Sequence, residues 1–238
     1  GFLTPWLEVP GFEDRLRWLS TVSGVDLVRH GTESDADTIR DTAVAQPLLP
    51  SFRTPAQSTF FRYRTGATPT LAAGERTRLA PQFYYYVGSF GLLGEYTQVS
   101  QDVARTTAAG LREGSLDTTA WQLAASWFLT GEEAAFRGFK PGSIFSLENG
   151  TWGAFELVGR YHELSIDDDA FVGGAESFAD PAVSARKATA WALGVNWYLN
   201  ENLKWVLNYE RTRFDGGAAG GADREDEEAF LTRVALGF

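Results

Sequence analysis

Bulky apolar side chains alternate with small or polar ones along several segments of about ten residues. In the last of these segments, Phe230, Val234 and Phe238 share one parity, and Arg233 and Gly237 share the other. Successive side chains of a β-strand point to opposite faces, so this period of two predicts strands. About ten residues is also the length of a tilted strand that crosses a membrane.

The composition of the two faces favours a membrane barrel over a soluble protein. One face is bulky and apolar, as at Trp191, Leu193 and Trp197, whereas the other is mainly Ala, Gly, Ser, Asn and Gln. The polar face of a soluble β-sandwich would meet bulk water and carry many Lys and Glu residues. We therefore predict an all-β fold, a transmembrane antiparallel up-and-down β-barrel with a wet lumen. A soluble β-sandwich or ligand barrel is the alternative, and solubility without detergent would favour it.

Two further features concern the membrane. No stretch approaches the roughly 20 consecutive apolar residues that a membrane helix needs, which excludes a helical membrane protein. Tryptophan prefers the boundary between lipid and water, where its ring is buried and its N–H stays hydrated. Trp121, Trp191, Trp197 and Trp205 lie near the ends of predicted strands, so we expect an aromatic girdle. Ordinary sandwich core is the alternative for these four residues.

The pattern predicts one barrel domain over residues 1–238, with ten strands. They lie at roughly 2–9, 15–29, 58–65, 76–87, 90–103, 118–130, 151–163, 187–199, 203–214 and 228–238. Short turns at one end and long loops at the other are typical of membrane barrels.

The predicted connections follow this rule only in part. Tight turns are expected at 88–89 and 200–202. The predicted long polar loops are 104–117, 164–186 and 215–227. The connections 30–57 and 131–150 are long where short turns are expected, so they either contain further strands or fold into the barrel.

The sequence offers no motif for catalysis. It has no cysteine and two histidines, His30 and His162, neither of which lies in a triad-like context. No glycine-rich phosphate loop or metal-ligand cluster is present, so we expect no cofactor, no metal and passive diffusion. Two alternatives stay open. One is an outer-membrane lipase-type enzyme, which would need a nucleophile with a positioned base. The other is a structural or adhesive barrel without a selective pore.

Charge is divided between loops and strands. The formal net charge is −10, and acidic residues concentrate in predicted loops at 167–169 and 223–228. Solvated loops explain this clustering, and divalent cations that bridge the loops to lipopolysaccharide are the alternative. An acidic chain also argues against nucleic acid as a partner.

The inward parity of the strands is mainly basic. A charge that faces lipid at mid-depth costs about 2–4 kcal/mol, so charges within strands are expected to face the lumen. Rows of Arg and Lys select anions in pores, and the guanidinium fork matches phosphate oxygens. Glu95, Glu156 and Glu210 share this parity, so Arg–Glu pairs that only brace the wall are the alternative. The predicted anion-binding residues are Arg62, Arg64, Arg76, Arg78, Arg160 and Arg233, with Lys204 beside them.

Several sequence runs resemble the phosphate-selective porin O/P family. They lie at 49–57 (LPSFRTPAQ), 81–86 (PQFYYY), 91–96 (GLLGEY), 128–132 (FLTGE), 152–161, 184–187 (SARK), 197–200 (WYLN) and 207–216. The resemblance covers most of residues 49–238 and is looser over 1–48.

This resemblance implies a usually trimeric outer-membrane channel of about sixteen strands that carries phosphate or polyphosphate. Ten predicted strands are fewer, so we expect the chain to lack N-terminal strands. The chain contains no methionine, so we expect Gly1 to be either a processed N-terminus or the start of a fragment. In this family some connections fold into the lumen and narrow it. The candidate here is 131–150, with Arg137 and Lys140 as constriction residues.

The last residue, Phe238, closes an alternating strand. This ending resembles the C-terminal signal that the barrel-assembly machinery reads in outer-membrane proteins. Together with the family resemblance, this ending implies several partners. They are small anions such as phosphate, outer-membrane lipid and lipopolysaccharide, the assembly machinery, and further copies of the chain in a homotrimer.

Overall fold

The computed structural model describes residues 23–34, 49–135 and 140–237, the first range by its backbone alone. These residues are predominantly β-strand, as the alternation predicts. The strands are β1 (Ser23–Ser34), β2 (Phe52–Arg53), β3 (Thr59–Phe61), β4 (Thr70–Val87), β5 (Phe90–Thr107), β6 (Gly110–Phe128), β7 (Phe145–Ser146), β8 (Thr151–Trp152), β9 (Ala154–Ile166), β10 (Ala185–Tyr198), β11 (Leu203–Gly216) and β12 (Glu227–Leu236). Single 3₁₀ turns occur at Asp168–Ala170, Gly174–Glu176 and Ala219–Gly221. In the described part of the chain, no helix has the length and apolarity needed to cross a membrane.

Eight strands form one antiparallel sheet in the order β1-β4-β5-β6-β9-β10-β11-β12. Each long strand pairs with the next long strand along the chain, which is the up-and-down connectivity that the sequence predicts. Two short pairs, β2–β3 and β7–β8, lie outside this sheet. Over the described residues β1 and β12 are its two edges, and no pairing joins them.

The two ends of the sheet differ. At the turn end, β4 and β5 are joined by residues 88–89 and β10 and β11 by residues 199–202. At the loop end lie the longer connections 167–184 and 217–226 together with the tight turn 108–109, whereas the long connection 129–153 lies at the turn end. The prediction of tight turns at 88–89 and 200–202 is confirmed.

One predicted loop is wrong. Residues 104–117 continue β5 and β6, whose pairing extends through Ala104↔Glu113 to Thr107↔Gly110. The two strands are 18 and 19 residues long, well beyond the roughly 9–11 residues that cross a membrane. Their loop-end halves therefore project beyond the lipid. There a strand needs no apolar outer face, so its alternation is weak.

The predicted wall strand 58–65 is also wrong. Only Thr59–Phe61 is a strand, and it pairs with β2 rather than with the main sheet. The remaining predicted strands from 76–87 onward match β4, β5, β6, β9, β10, β11 and β12. The strand predicted at 2–9 lies outside the described residues, and that at 15–29 overlaps β1.

From Trp191 to the turn end the outward face of the sheet is mainly apolar, and it carries two rows of aromatic rings. Nearer the loop end, Trp121 lies 5.3 Å from Tyr161, and Trp191 lies 5.3 Å from Tyr209. At the turn end, the Trp197 and Trp205 rings are 6.2 Å apart. Trp191 and Trp197 are six positions apart on β10, about 20 Å along the strand. This spacing fits an apolar band bounded by an aromatic girdle on each side.

The buried core lies on the inward face at the loop end. Phe60, Phe61 and Tyr63, from the connection between β1 and β4, are buried there together with side chains of the wall and the 167–184 loop. The wall and loop residues of this cluster are Ala72, Val103, Leu116, Ile166, Ala170, Phe178, Ala179, Ala185, Ala188 and Phe214.

Candidate functional site

Residues 49–69, the inserted segment, leave the wall and pack against its inward face. The Phe61 side chain is 0% exposed, and its ring lies 5.7 Å from Phe52, 5.0 Å from Tyr63 and 6.1 Å from Phe171. Burial raises the pKa of Tyr63 to about 12. An apolar cluster of this size holds the segment inside the barrel.

Polar contacts from two loops fix the same segment. The Ser184 hydroxyl donates to the Arg62 carbonyl at 2.8 Å and accepts from the Arg62 N–H at 3.2 Å. From the other loop, Arg224 donates to the Thr59 carbonyl at 2.9 Å and lies 4.5 Å above the Phe214 ring. The inserted segment is therefore held on both sides, and its position depends on both loops.

The tip of the inserted segment reaches the middle of the inward face. Pro55 lines a cavity of about 280 Å³ together with Tyr86, Arg160, Asn208 and Glu210. A loop that crosses the lumen at this level narrows the path between the two ends.

Two of the predicted arginines lie on β4 beneath the inserted segment. Arg76 pairs in register with Gln101 and donates to its amide oxygen, and Arg78 lies opposite Val99. Both belong to the inward register. Above them β4 bulges at Gly74, where φ is 79° and an added Cβ would meet the Asp102 carboxylate at 2.5 Å.

The predicted arginines of the inserted segment differ from each other. The Arg62 side chain is exposed, and only its backbone is held. Arg64 is half-buried and donates to Ser177, Asp180 and Gly174. Neither residue lies on a wall strand, so the inward register that the sequence predicts for them is wrong. The inserted segment nevertheless brings both to the lumen side.

The remaining predicted residues on β9, β11 and β12 do lie in the inward register. Arg160 donates to Glu210 at 2.9 Å, and His162 Nε2 lies 3.4 Å from the second oxygen of the same carboxylate. Lys204 lies 5.4 Å above the Tyr198 ring. Arg233 pairs with Val206 and is exposed.

The other two inward carboxylates, Glu95 and Glu156, are held by neutral donors that the sequence alone did not identify. Glu95 accepts hydrogen bonds from the Gln82 and Gln122 amides at 3.1 and 2.7 Å. Glu156 accepts from the Asn196 amide at 2.7 Å and from the Tyr198 hydroxyl at 2.8 Å. All these donors share the inward parity, but choosing partners for each carboxylate requires the strand register.

Lys140 does not lie where a constriction residue would. Its side chain is 82% exposed, and its ammonium lies 2.6 Å from the Glu201 carboxylate at the turn end. This hydrogen bond raises the pKa of Lys140. The chain that follows packs outward, since the Phe145 ring meets the Trp197 ring edge-on at 5.3 Å. Of the predicted lumen segment 131–150, residues 140–150 do not enter the lumen, whereas Ala134 and Ala135 line a cavity with Tyr86 and Glu156 at the turn end. Arg137 and Phe238 lie outside the described residues.

No metal centre is formed by the described ranges, which contain no cluster of three or more His, Cys, Asp or Glu side chains placed to hold an ion. The inward face presents arginines, a lysine, amides and three engaged glutamates, beside a segment that narrows the path. This arrangement suits reversible contact with small charged solutes.

In comparisons with known proteins, the chain matches one family model and is similar to parts of two kinds of protein. The family model for phosphate-selective porin O and P matches residues 29–238. Porin O of Pseudomonas aeruginosa is 33% identical over 115 residues, which are 48% of this chain and 25% of that protein.

The other similarities are to malonyl CoA-acyl carrier protein transacylases. That of Mycolicibacterium smegmatis is 44% identical over 72 residues, 30% of this chain and 25% of that protein. That of Mycobacterium tuberculosis is 47% identical over 49 residues, 21% of this chain and 16% of that protein. The chain thus spans about a quarter or less of each curated relative. The transacylase similarities are short, whereas the family model covers most of the chain and agrees with its antiparallel sheet. The chain belongs to the phosphate-selective porin O and P family.

Proposed function

We propose that this protein forms a channel of the bacterial outer membrane through which small anions, phosphate foremost, diffuse passively. The family and the similarity to Porin O support a channel rather than an enzyme. The proposed assembly is a homotrimer embedded in outer-membrane lipid and lipopolysaccharide. Its insertion uses Phe238 as the signal for the barrel-assembly machinery.

The observation that carries the anion preference is the imbalance of available charge on the inward face. Glu95 and Glu156 are occupied by amide and hydroxyl donors, and Glu210 is occupied by Arg160. In contrast, Arg78 and Arg233 have no carboxylate partner among the side chains that the structure describes, and both belong to the inward register. A passing anion therefore meets cations without a carboxylate partner among the described side chains, and carboxylates that each already accept at least one hydrogen bond.

The inserted segment increases the influence of these cations. A narrow passage with low-dielectric walls concentrates the field of nearby charges. Arg62 presents an exposed side chain from the inserted segment, and Arg78 lies on the adjoining wall. Guanidinium groups suit phosphate because their fork donates two parallel hydrogen bonds to its oxygens.

The test is electrical. The intact protein, reconstituted in planar bilayers under a KCl gradient, should show a reversal potential of anion sign, and added phosphate should block its chloride current. Arg78→Ala should weaken the phosphate block about tenfold, since a charge-assisted hydrogen bond contributes roughly 1.5–3 kcal/mol.

Arg213→Ala is the matched control. It removes an arginine of the outward face that pairs with Asp226, so the block should not change. Cation selectivity of the unaltered protein would refute the proposal, and a closed barrel without conductance would favour the structural or adhesive alternative.

A further inference from the structure

A buried arginine on the wall donates hydrogen bonds to neutral acceptors. Arg105 of β5 is 7% exposed and lies at the loop end of the inward face. Its guanidinium donates to the Thr68 carbonyl at 2.9 Å and hydroxyl at 3.2 Å, to the Ala175 carbonyl at 2.9 Å and to the Ser177 carbonyl at 2.6 Å. Thr68 belongs to the inserted segment, whereas Ala175 and Ser177 belong to the 167–184 loop.

Arg64 reaches the same loop from the inserted segment. It donates to the Ser177 carbonyl at 3.1 Å and the Gly174 carbonyl at 3.0 Å, and it lies 3.1 Å from the Asp180 carboxylate. Its backbone N–H donates to the Phe178 carbonyl at 2.9 Å. Arg64, Arg105 and the carbonyls of 174–177 form what we term the arginine clamp.

The clamp holds two positive charges close together, so its stability depends on each guanidinium keeping its hydrogen-bond acceptors. Burying a guanidinium is costly unless its five N–H donors find acceptors. Most of these acceptors are backbone carbonyls from two different connections, so they converge on Arg105 only while the inserted segment and the 167–184 loop are both docked. Arg105 therefore couples the position of one connection to that of the other.

We propose that Arg105 and Arg64 are positioning residues that set the depth of the inserted segment and thereby the width of the pore. They act through the segment and do not touch the permeating ion. The proposal rests on the proposed function only in requiring that the lumen conducts ions.

Single-channel conductance of the intact protein in KCl tests the clamp. Arg105→Ala should raise the conductance about twofold and weaken phosphate block, because the segment that narrows the lumen is released. Arg105→Lys should lie between Arg105→Ala and the unaltered protein, since an ammonium keeps the charge but loses the directional fork. Arg213→Ala on the outward face should leave the conductance unchanged.

A second measurement reports whether the inserted segment is docked. The chain has no cysteine, so Ala56→Cys, exposed beside Pro55 at the tip, can be labelled selectively with a bulky maleimide. Labelling should be faster in the Arg105→Ala background, while the heat-modifiable gel shift of the folded barrel stays the same. A role in barrel stability alone would change the gel shift and not the labelling of folded protein.

A folded Arg105→Ala channel with unchanged conductance and labelling would overturn the proposal. If that variant does not fold, Arg64→Ala and Asp180→Asn test the more exposed half of the clamp, and wild-type values in both would overturn it equally. The reversal potential separates the two proposals. A cation-selective channel that still widens in Arg105→Ala refutes the anion preference and supports the clamp.

Discussion

Replacing Phe61 by alanine tests whether packing alone can hold a lumen segment in place. Phe61 is 0% exposed and contacts the rings of Phe52, Tyr63 and Phe171. These neighbours belong to the inserted segment and to the 167–184 loop, not to the membrane strands. The substitution should therefore destabilise the docking of the inserted segment and leave the barrel wall intact.

The size of the effect follows from the burial. Truncating a fully buried Phe to Ala costs about 3–5 kcal/mol, including the cavity that is left behind. Since roughly 1.4 kcal/mol is a factor of ten, the ratio of docked to undocked segment should fall by about 10² to 10³·⁵. A change of this size makes the undocked state visible in single-channel records even if docking is strongly favoured in the unaltered protein.

The assay is open-channel current in symmetric KCl. Phe61→Ala should add long-lived states of higher conductance, with weaker phosphate block in those states. Phe230→Ala is the control, since this ring is 83% exposed on the outward face of β12 and its loss should not alter the current. Wild-type current and block in a folded Phe61→Ala protein would show that the segment does not narrow the pore.

Two other predictions concern the wall and the segment. Arg160→Ala leaves the Glu210 carboxylate, whose side chain is 4% exposed, without its main donor. We expect a loss of about 1–3 kcal/mol, less than for a fully buried pair because the Arg160 side chain is 40% exposed. The midpoint of heat modification should fall more in this variant than in Glu210→Gln, and equal midpoints would contradict the reasoning. Burial raises the pKa of Tyr63 from 10.0 to about 12, so the docked segment retains this proton more tightly than the undocked one. Docking is then at full strength below about pH 10 and weakens as pH rises toward 12, which predicts higher conductance across that interval. Tyr63→Phe should abolish the rise, and a rise that persists in this variant would assign it to another group.

The wall of this protein is predictable because alternation is a local property. Each membrane strand must place apolar side chains toward lipid along its length. The sequence of β10 or β11 alone is therefore enough to identify it as a membrane strand. The inward register of Arg78, Arg160 and Arg233 follows from the same parity. No tertiary knowledge is needed for that step.

The inserted segment could not be assigned in this way. Phe60 and Phe61 are adjacent and both buried, which a strand between lipid and lumen would not allow. These residues break the period of two, and Pro50 and Pro55 interrupt any ladder nearby. The contacts that hold the segment join positions far apart in sequence, such as Arg64 and Ser177, 113 positions away. The sequence signalled an irregular connection but not its docking site.

The acidic net charge and the proposed anion preference are compatible because position decides the weight of each charge. At the loop end, Asp215 pairs with Arg186 and Asp226 pairs with Arg211, so these carboxylates are partly balanced. Further acidic residues, Asp168 and Asp169, are exposed in the loop after β9, where physiological salt screens charge over about 8 Å. On the inward face, neighbouring amides engage the Glu95 carboxylate without adding charge, and Arg78 has no carboxylate partner among the side chains that the structure describes. An anion in the narrow part of the lumen therefore responds to the few charges within a screening length, whatever the sum over the chain.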